Sequence, residues 1–179
     1  MGDPKESASF SRPENDVDAQ RSWRDFQRTG IFSEEILRNV VGDSWRRCRS
    51  ARVDPSRSQA PFALRSAPIS DLLHRHRELL DASRPVLQIS REHLAETGTL
   101  MVLADANGVV LDLEGDSGAL SPAEKIHLFA GASWSEVHCG TNAIGTALML
   151  EQPVQIHSEE HYCEGIKRWT CSATVIRHP

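Results

Sequence analysis

Apolar residues recur at helical spacing from Ile36 to Cys48, with Ile36, Leu37, Val40, Val41, Trp45 and Cys48 on one face. Ser33 stands just before this run, where its hydroxyl can cap free amides. Glu34 and Glu35 follow in the first turn, which favours carboxylates. The pattern predicts a helix from Ser33 that stops near Val53-Asp54-Pro55, ahead of a Pro/Ser-rich connector reaching about Ala67. A second stripe (Leu72, Leu73, His76, Leu79, Leu80, Val86, Leu87, Ile89, His93, Leu94) predicts a long helix from about Ser70 to Thr97, with Gly98 as its stop. Pro85 should kink it. At 1.5 Å per residue such a helix spans roughly 42 Å. That is more than one small sheet covers, so part of it is expected to pack on a second subunit in a homodimer.

After Gly98 the period shortens. Leu100–Ala104 and Val109–Leu113 read as two strands joined by Asp105-Ala106-Asn107-Gly108, and Asn-Gly between apolar runs is a strong hairpin signal. An acidic, glycine-containing loop over 114–119 leads to a short helix expected around Pro122–Phe129. Thr141 is the expected cap of a helix ending near Leu150, with Gly145 and Ala147 allowing close packing on a sheet. Pro153–His157 and Trp169–Ile176 read as two further strands. Residues 1–30 mix Ser, Pro, Asp, Arg and Gln and are expected to form a disordered tail. The expected organisation is thus tail 1–30, helical region 31–98 and sheet-containing domain 99–179.

Composition narrows the function classes. The 179 residues are one domain's worth, 39% hydrophobic and 25% charged, with a net charge of −5. No apolar run approaches the ~18 residues that suggest a membrane span, and no signal-peptide core is present. A cytoplasmic protein without membrane attachment is expected. The four cysteines, Cys48, Cys139, Cys163 and Cys171, are then expected as thiols instead of disulfides. Residues 105–164 carry ten acids against one Lys, which argues against phosphate-backbone contact there. The Arg-rich stretch around Arg46–Arg57 reads as a solvated helix face, so no direct nucleic-acid binding is expected.

Side chains that can do chemistry crowd into Gly131–Cys171. Trp134 and Trp169 are candidate pocket walls or core residues. Glu136 is placed to bind a ligand hydroxyl or to cap the next helix. Asn142 falls in that helix's first turn, where its amide can meet a carbonyl or carboxylate. With His161 and Cys171 these form the candidate ligand-binding set. The rival reading gathers His138, Cys139, His161, Cys163 and Cys171 around a metal, or uses Cys163 and Cys171 as a redox pair. His161-x-Cys163 is too close for the usual zinc pairs, and no Cys-x-x-Cys occurs. A cysteine nucleophile assisted by His138 or His161 lacks an orienting carboxylate, so no catalytic residues and no cofactor are expected.

Several motifs resemble one family. Ser44-Trp45-Arg46-Arg47-Cys48 with Asp54-Pro55, Leu103-Ala104-Asp105 with Asn107-Gly108, and Gly115-Asp116 carry the first half of the likeness. Trp134-Ser135-Glu136, the string Gly140–Leu148, Glu160-His161-Tyr162 and Trp169–Ala173 carry the rest. Together they resemble the N-terminal GAF sensory region of acetoin-type, sigma-54-dependent transcriptional activators of the Fis family. The resemblance implies an α/β (α+β) fold, a GAF-like antiparallel sheet with flanking helices after an N-terminal helical region. It also implies a pocket for a small alcohol- or ketone-like metabolite between the sheet and the Thr141 helix, relayed through the long helix to a dimer contact or to downstream domains. The activator's ATPase and DNA-binding machinery is not in this sequence. Gly140 to Gly145 has the spacing of a phosphate loop, but Thr-Ala follows where Lys-[Ser/Thr] is required. The family usually continues past Arg177-His178-Pro179 into another, central strand, with an Asp where His178 stands. The sheet is therefore expected to be incomplete, with open edges at Leu100–Ala104 and Trp169–Ile176.

Overall fold

The computed structural model describes residues 16–63 and 68–177. In chain order the elements are α1 (Asp16–Thr29), α2 (Asn39–Ser50), α3 (Ile69–Arg75), α4 (Arg77–His93), β1 (Leu100–Ala104), β2 (Val110–Gly115), α5 (Ser117–Lys125), α6 (Glu136–Cys139), α7 (Ala143–Leu150), β3 (Val154–His157) and β4 (Thr170–Ala173). Short 3-10 turns occupy Ser158–Glu160 and Glu164–Ile166. The strands form two separate two-stranded antiparallel pairs, β1 with β2 and β3 with β4. The expected mixture of helices and antiparallel strands is present. Neither β1 nor β4 has a second strand neighbour among the described residues.

Two compact units divide the chain, and they cut across the boundaries expected from sequence. One combines residues up to Ser58 with those from Ser135 onward; the other is the continuous stretch Gln59–Trp134.

In the first unit Phe26, Val41, Trp45, Ile156 and Tyr162 are buried, with the Phe26 and Trp45 ring centroids 5.5 Å apart. Helix α7 packs against β3 and β4. The expected tail fails from Asp16 on, because α1 is a formed helix; residues 1–15 lie outside the described part. Ala19, Trp23 and Phe26 are buried at helical spacing, and that stripe binds α1 to the unit. The helix expected from Ser33 begins six residues later, at Asn39. Ser33 instead closes a single turn, its carbonyl accepting from the Ile36 and Leu37 amides at 3.2 and 3.0 Å. Arg38 is held extended at the start of α2, where Glu160 takes its guanidinium at 2.9 and 2.6 Å and the Gln155 carbonyl accepts at 2.7 Å. A long-range ion pair thus overrides the local capping signal.

In the second unit the hairpin forms as its sequence requires. The Asp105 carboxylate accepts from the amides of Asn107 and Val109 at 2.9 and 2.8 Å, and Gly108 takes φ +75°, open to glycine without strain. Leu72, Leu103, Val109 and Leu111 make the core, with Leu79 and Leu80 packed on it. The long helix is broken at His76, and Pro85 lies inside α4. His76 lies 3.5 Å from the Asp105 carboxylate, which ties the break to the hairpin turn. Pro85 sits on an exposed face, where water can take the carbonyl it leaves without an amide. The short helix comes earlier than expected, as α5, because Asp116 caps it by accepting from the Gly118 amide at 2.8 Å. The connector's end near Ala67, and His178, lie outside the described residues.

Candidate functional site

Glu136, read from sequence as a ligand group or cap, is 4% exposed and fully engaged by the protein. Arg47 forks onto it, Nε to Oε2 at 2.7 Å and Nη2 to Oε1 at 2.9 Å. Thr146 donates to Oε1 at 2.9 Å, as does Ser44 through a short hydrogen bond. Ser44 in turn meets Thr141 Oγ1 at 2.6 Å, and Cys48 Sγ lies 3.6 Å from the same hydroxyl. The carboxylate raises the pKa of the Arg47 guanidinium, chiefly through this hydrogen bonding. A buried carboxylate holding one cation and two hydroxyls ties α2 to α6 and α7.

Asn142, not Thr141, caps α7. Its Oδ1 accepts from the Gly145 amide at 3.0 Å, and its Nδ2 donates to the Gly140 carbonyl at 2.8 Å. Gly140, at φ +68°, leaves no room for a side chain, since a Cβ there would lie 2.8 Å from the Cβ of Tyr162. Trp134 belongs to the second unit, where its buried indole donates to the His127 carbonyl at 3.1 Å.

His161 and Trp169 differ from these. Both attach to Ser158: the Trp169 carbonyl accepts from the Ser158 amide at 3.0 Å, and the Ser158 carbonyl accepts from the His161 amide at 3.1 Å. His161 is 0% exposed, with Nδ1 2.9 Å from that same carbonyl. Its Nε2 and the indole Nε1 of Trp169 are buried and have no hydrogen-bond partner among the described residues. Burial pushes the imidazole pKa down to about 4, helped by the positive charge of Lys167 and by His157. Cys171 follows on β4, paired across the ladder with Ile156. Of the six candidate residues, the fold therefore gathers His161, Trp169 and Cys171 on one stretch of the first unit and engages Glu136 and Asn142 in structural hydrogen bonds.

The metal alternative does not assemble. Among the described residues no group of three His, Cys, Asp or Glu side chains is placed to hold a metal, so His138, Cys139, His161, Cys163 and Cys171 do not form a ligand set. His138 instead meets Ser135 Oγ at 3.0 Å. The redox alternative needs an accessible thiol with a low pKa. Cys163 is buried, and burial raises the pKa of its thiol, and that of Cys171, to about 12; Cys139 is raised further still.

Sequence reading missed the Arg38–Glu160 pair and α1. Trp23 on α1 donates its indole N–H to the Tyr162 carbonyl at 2.9 Å, and Lys167 Nζ sits 3.6 Å over the Trp23 ring. The buried stripe of α1 was the signal that could have revealed it. An open cleft of about 440 Å³, lined among others by Arg21, Ser22, Asp25, Phe32 and Ile36, lies at the end of α1, and none of the six candidate residues lines it.

Helices flanking short antiparallel strand pairs define the described residues as a mixed α/β (α+β) domain. The chain belongs to the family described as MimR, N-terminal domain, whose model matches residues 15–179. It is 36% identical over 158 residues to the acetoin dehydrogenase operon transcriptional activator AcoR of Bacillus subtilis (strain 168), covering 88% of this chain and 26% of that protein. It is 32% identical over 164 residues to the propane 2-monooxygenase operon transcriptional activator MimR of Mycolicibacterium smegmatis, covering 91% of this chain and 27% of that protein. The chain thus spans about a quarter of the length of these relatives. The same fold occurs in the crystal structure of the E. coli DhaR(N)–DhaL complex, with a TM-score of 0.69 and 20% identity over 75% of this chain and 46% of that one.

Proposed function

We propose that this chain is the small-molecule-sensing module of a bacterial sigma-54-dependent transcriptional activator. The observation that carries the sensing role is two buried polar atoms without partners among the described residues, His161 Nε2 and Trp169 Nε1. Leaving such atoms unmatched costs about 1–3 kcal/mol each, and a bound ligand removes that cost. The names of the relatives support the regulatory setting. The ligand is a small neutral molecule of alcohol or ketone type, held by His161 and Trp169 with Cys171 nearby. The module acts without catalysis, in the cytoplasm, and without touching nucleic acid itself. No helix of the described residues is long and apolar enough to cross a membrane.

Dimerisation fits the same reading. On α4, Val86 and Ile89 are 57% and 58% exposed and share a face with Ala82 and Pro85, a stripe suited to a second copy of the helix.

Calorimetric titration with small alcohols and ketones tests the sensing role. Binding that is lost in Trp169→Phe, which keeps the ring system apolar and deletes the N–H, is the expected result. A chain that melts cooperatively yet binds no compound of the set overturns the reading.

A further inference from the structure

The bend that carries the chain out of α1 is held as a fixed wall. Thr29 Oγ1 donates to the Asp25 carbonyl at 2.7 Å and accepts from the Ile31 amide at 3.1 Å, and the Ser33 carbonyl closes the turn that follows. Phe32 is wedged into this bend. Its ring centroid lies 6.1 Å from that of Phe26, and the Arg46 guanidinium covers it at 4.5 Å. Only glycine fits beside it on α2, because a Cβ at Gly42 would run into the ring. The open cleft of about 440 Å³ lies between this bend and the side chains of α1, wholly inside the first unit. Its volume is in the range of small-molecule sites, roughly 300–1,000 Å³.

Three observations define what the cleft suits. Ile31, Phe32 and Ile36 line it, and Ile31 and Ile36 are 73% and 38% exposed, apolar surface left to water. Its ionic lining is Arg21, Arg28 and Asp25. Arg28 takes Asp25 at 2.9 Å, whereas Arg21 has no ion pair among the described residues, so one cation is left over. Ser22 also lines the cleft; it is 6% exposed, and its hydroxyl has no hydrogen-bond partner among the described residues.

We propose that this cleft is a second ligand site, which takes a small apolar carboxylic acid as its anion. The carboxylate accepts from the Arg21 guanidinium and the Ser22 hydroxyl, and the apolar body covers Ile31, Phe32 and Ile36. A monoanion matches the single surplus cation. A phosphate dianion would bring a second negative charge beside Asp25, and an amine would set its cation against Arg21. None of His161, Trp169 and Cys171 lines the cleft, so this site goes beyond the sensing role and either can fail without the other.

The test is NMR of the full 179-residue chain, titrated with matched pairs: hexanoate and hexanamide, benzoate and benzamide. The acid and the amide share a shape and differ in charge. The signals of Ile31, Phe32 and Ile36 are expected to move, with each acid about 5-fold tighter than its amide, the scale of a solvent-exposed ion pair. That preference should shrink in 1 M salt, which screens Arg21. Arg21→Gln is expected to bring the acid to the level of the amide, and Ile36→Ser to weaken both. Both positions are exposed, and unchanged signals away from the cleft verify that each variant is folded. Equal binding of acid and amide by wild type, or a preference that survives Arg21→Gln, overturns the proposal. So do shifts centred on His161 and Trp169 instead of the cleft, and so does a panel in which no cleft signal moves.

Discussion

Trp23 and Tyr162 are 139 positions apart in the chain, and the indole N–H of the first reaches the carbonyl oxygen of the second at 2.9 Å. The bond joins α1 to the residue next to His161 in the chain. Trp23→Phe deletes the donor and leaves the Tyr162 carbonyl short of a partner, an expected loss of about 1–2 kcal/mol. Trp23→Ala also opens a cavity beneath Lys167, with an expected loss of about 3–5 kcal/mol. Urea unfolding of both variants distinguishes the two costs. A wild-type midpoint in Trp23→Ala would show that α1 contributes nothing.

Glu136 is expected to behave as a structural group. Glu136→Gln replaces an acceptor of four donor contacts with an amide that turns N–H groups toward some of them. The expected cost is about 2–4 kcal/mol. Its double-mutant cycle with Arg47→Gln should show a coupling of about 1–3 kcal/mol. Thermal and urea melts of the four proteins give the number, and a coupling near zero contradicts the network.

The buried imidazole makes stability depend on pH. His161 has a folded pKa of about 4, below its ordinary value near 6.5, so between those limits the unfolded chain binds a proton that the folded one does not. Stability should therefore fall as pH drops from about 6.5 to about 4 and stop changing through this group below that. Over the full window the loss is on the order of 3 kcal/mol. Lys167 and His157, the charged and titratable groups acting on the ring, push in the same direction. Urea melts across this range should show the slope, and His161→Gln should flatten it.

Thiol reagents should find little to attack. Cys48, Cys163 and Cys171 have pKa values raised to about 11, 12 and 12 by burial, and Cys139 is raised further, so at neutral pH they are thiols with almost no thiolate. Labelling of the buried Cys48, Cys139 and Cys163 with an aromatic disulfide should proceed at the rate of unfolding and accelerate in denaturant, while the half-buried Cys171 should react slowly as a thiol. Rapid labelling of even one equivalent in the native protein would reopen the redox alternative.

The exposed face of α4 gives a prediction about assembly. Ile89→Glu, alone or with Val86→Glu, removes apolar surface that is already solvent-exposed in the single chain, so monomer stability should change by less than about 0.5 kcal/mol. A dimer built on this face should dissociate. Light scattering of wild type and variant over a concentration series decides it. A wild-type monomer, or a dimer unaffected by the charges, removes α4 as the contact.

What the sequence disclosed were features fixed by short-range chemistry. Asn107-Gly108 announced the hairpin because its turn needs positive φ at Gly108. Asp116 was assigned to a loop, although its carboxylate caps α5 by the same local rule. Features set by distant partners were not legible. Nothing around Arg38 indicates that Glu160 will hold it and delay α2 to Asn39. Asn142 and Glu136 were sensible ligand candidates by residue type, and only the positions of Gly145, Arg47, Ser44 and Thr146 show them already engaged. His161 passed the other way: its type permitted a core role, and only the lack of a partner at Nε2 among the described residues sets it apart.

The interleaving of the two units has a consequence for the order in which they can be made. Gln59–Trp134 is continuous, so once it has left the ribosome all of its internal contacts are available. The other unit must hold α1 and α2 in waiting until the segment carrying Tyr162 and Glu160 emerges more than a hundred residues later. Closing so long a loop is slow compared with forming a hairpin. During synthesis Trp23, Phe26 and Trp45 are consequently apolar surface without a home, which makes the N-terminal helices the part of the nascent chain most in need of chaperone protection.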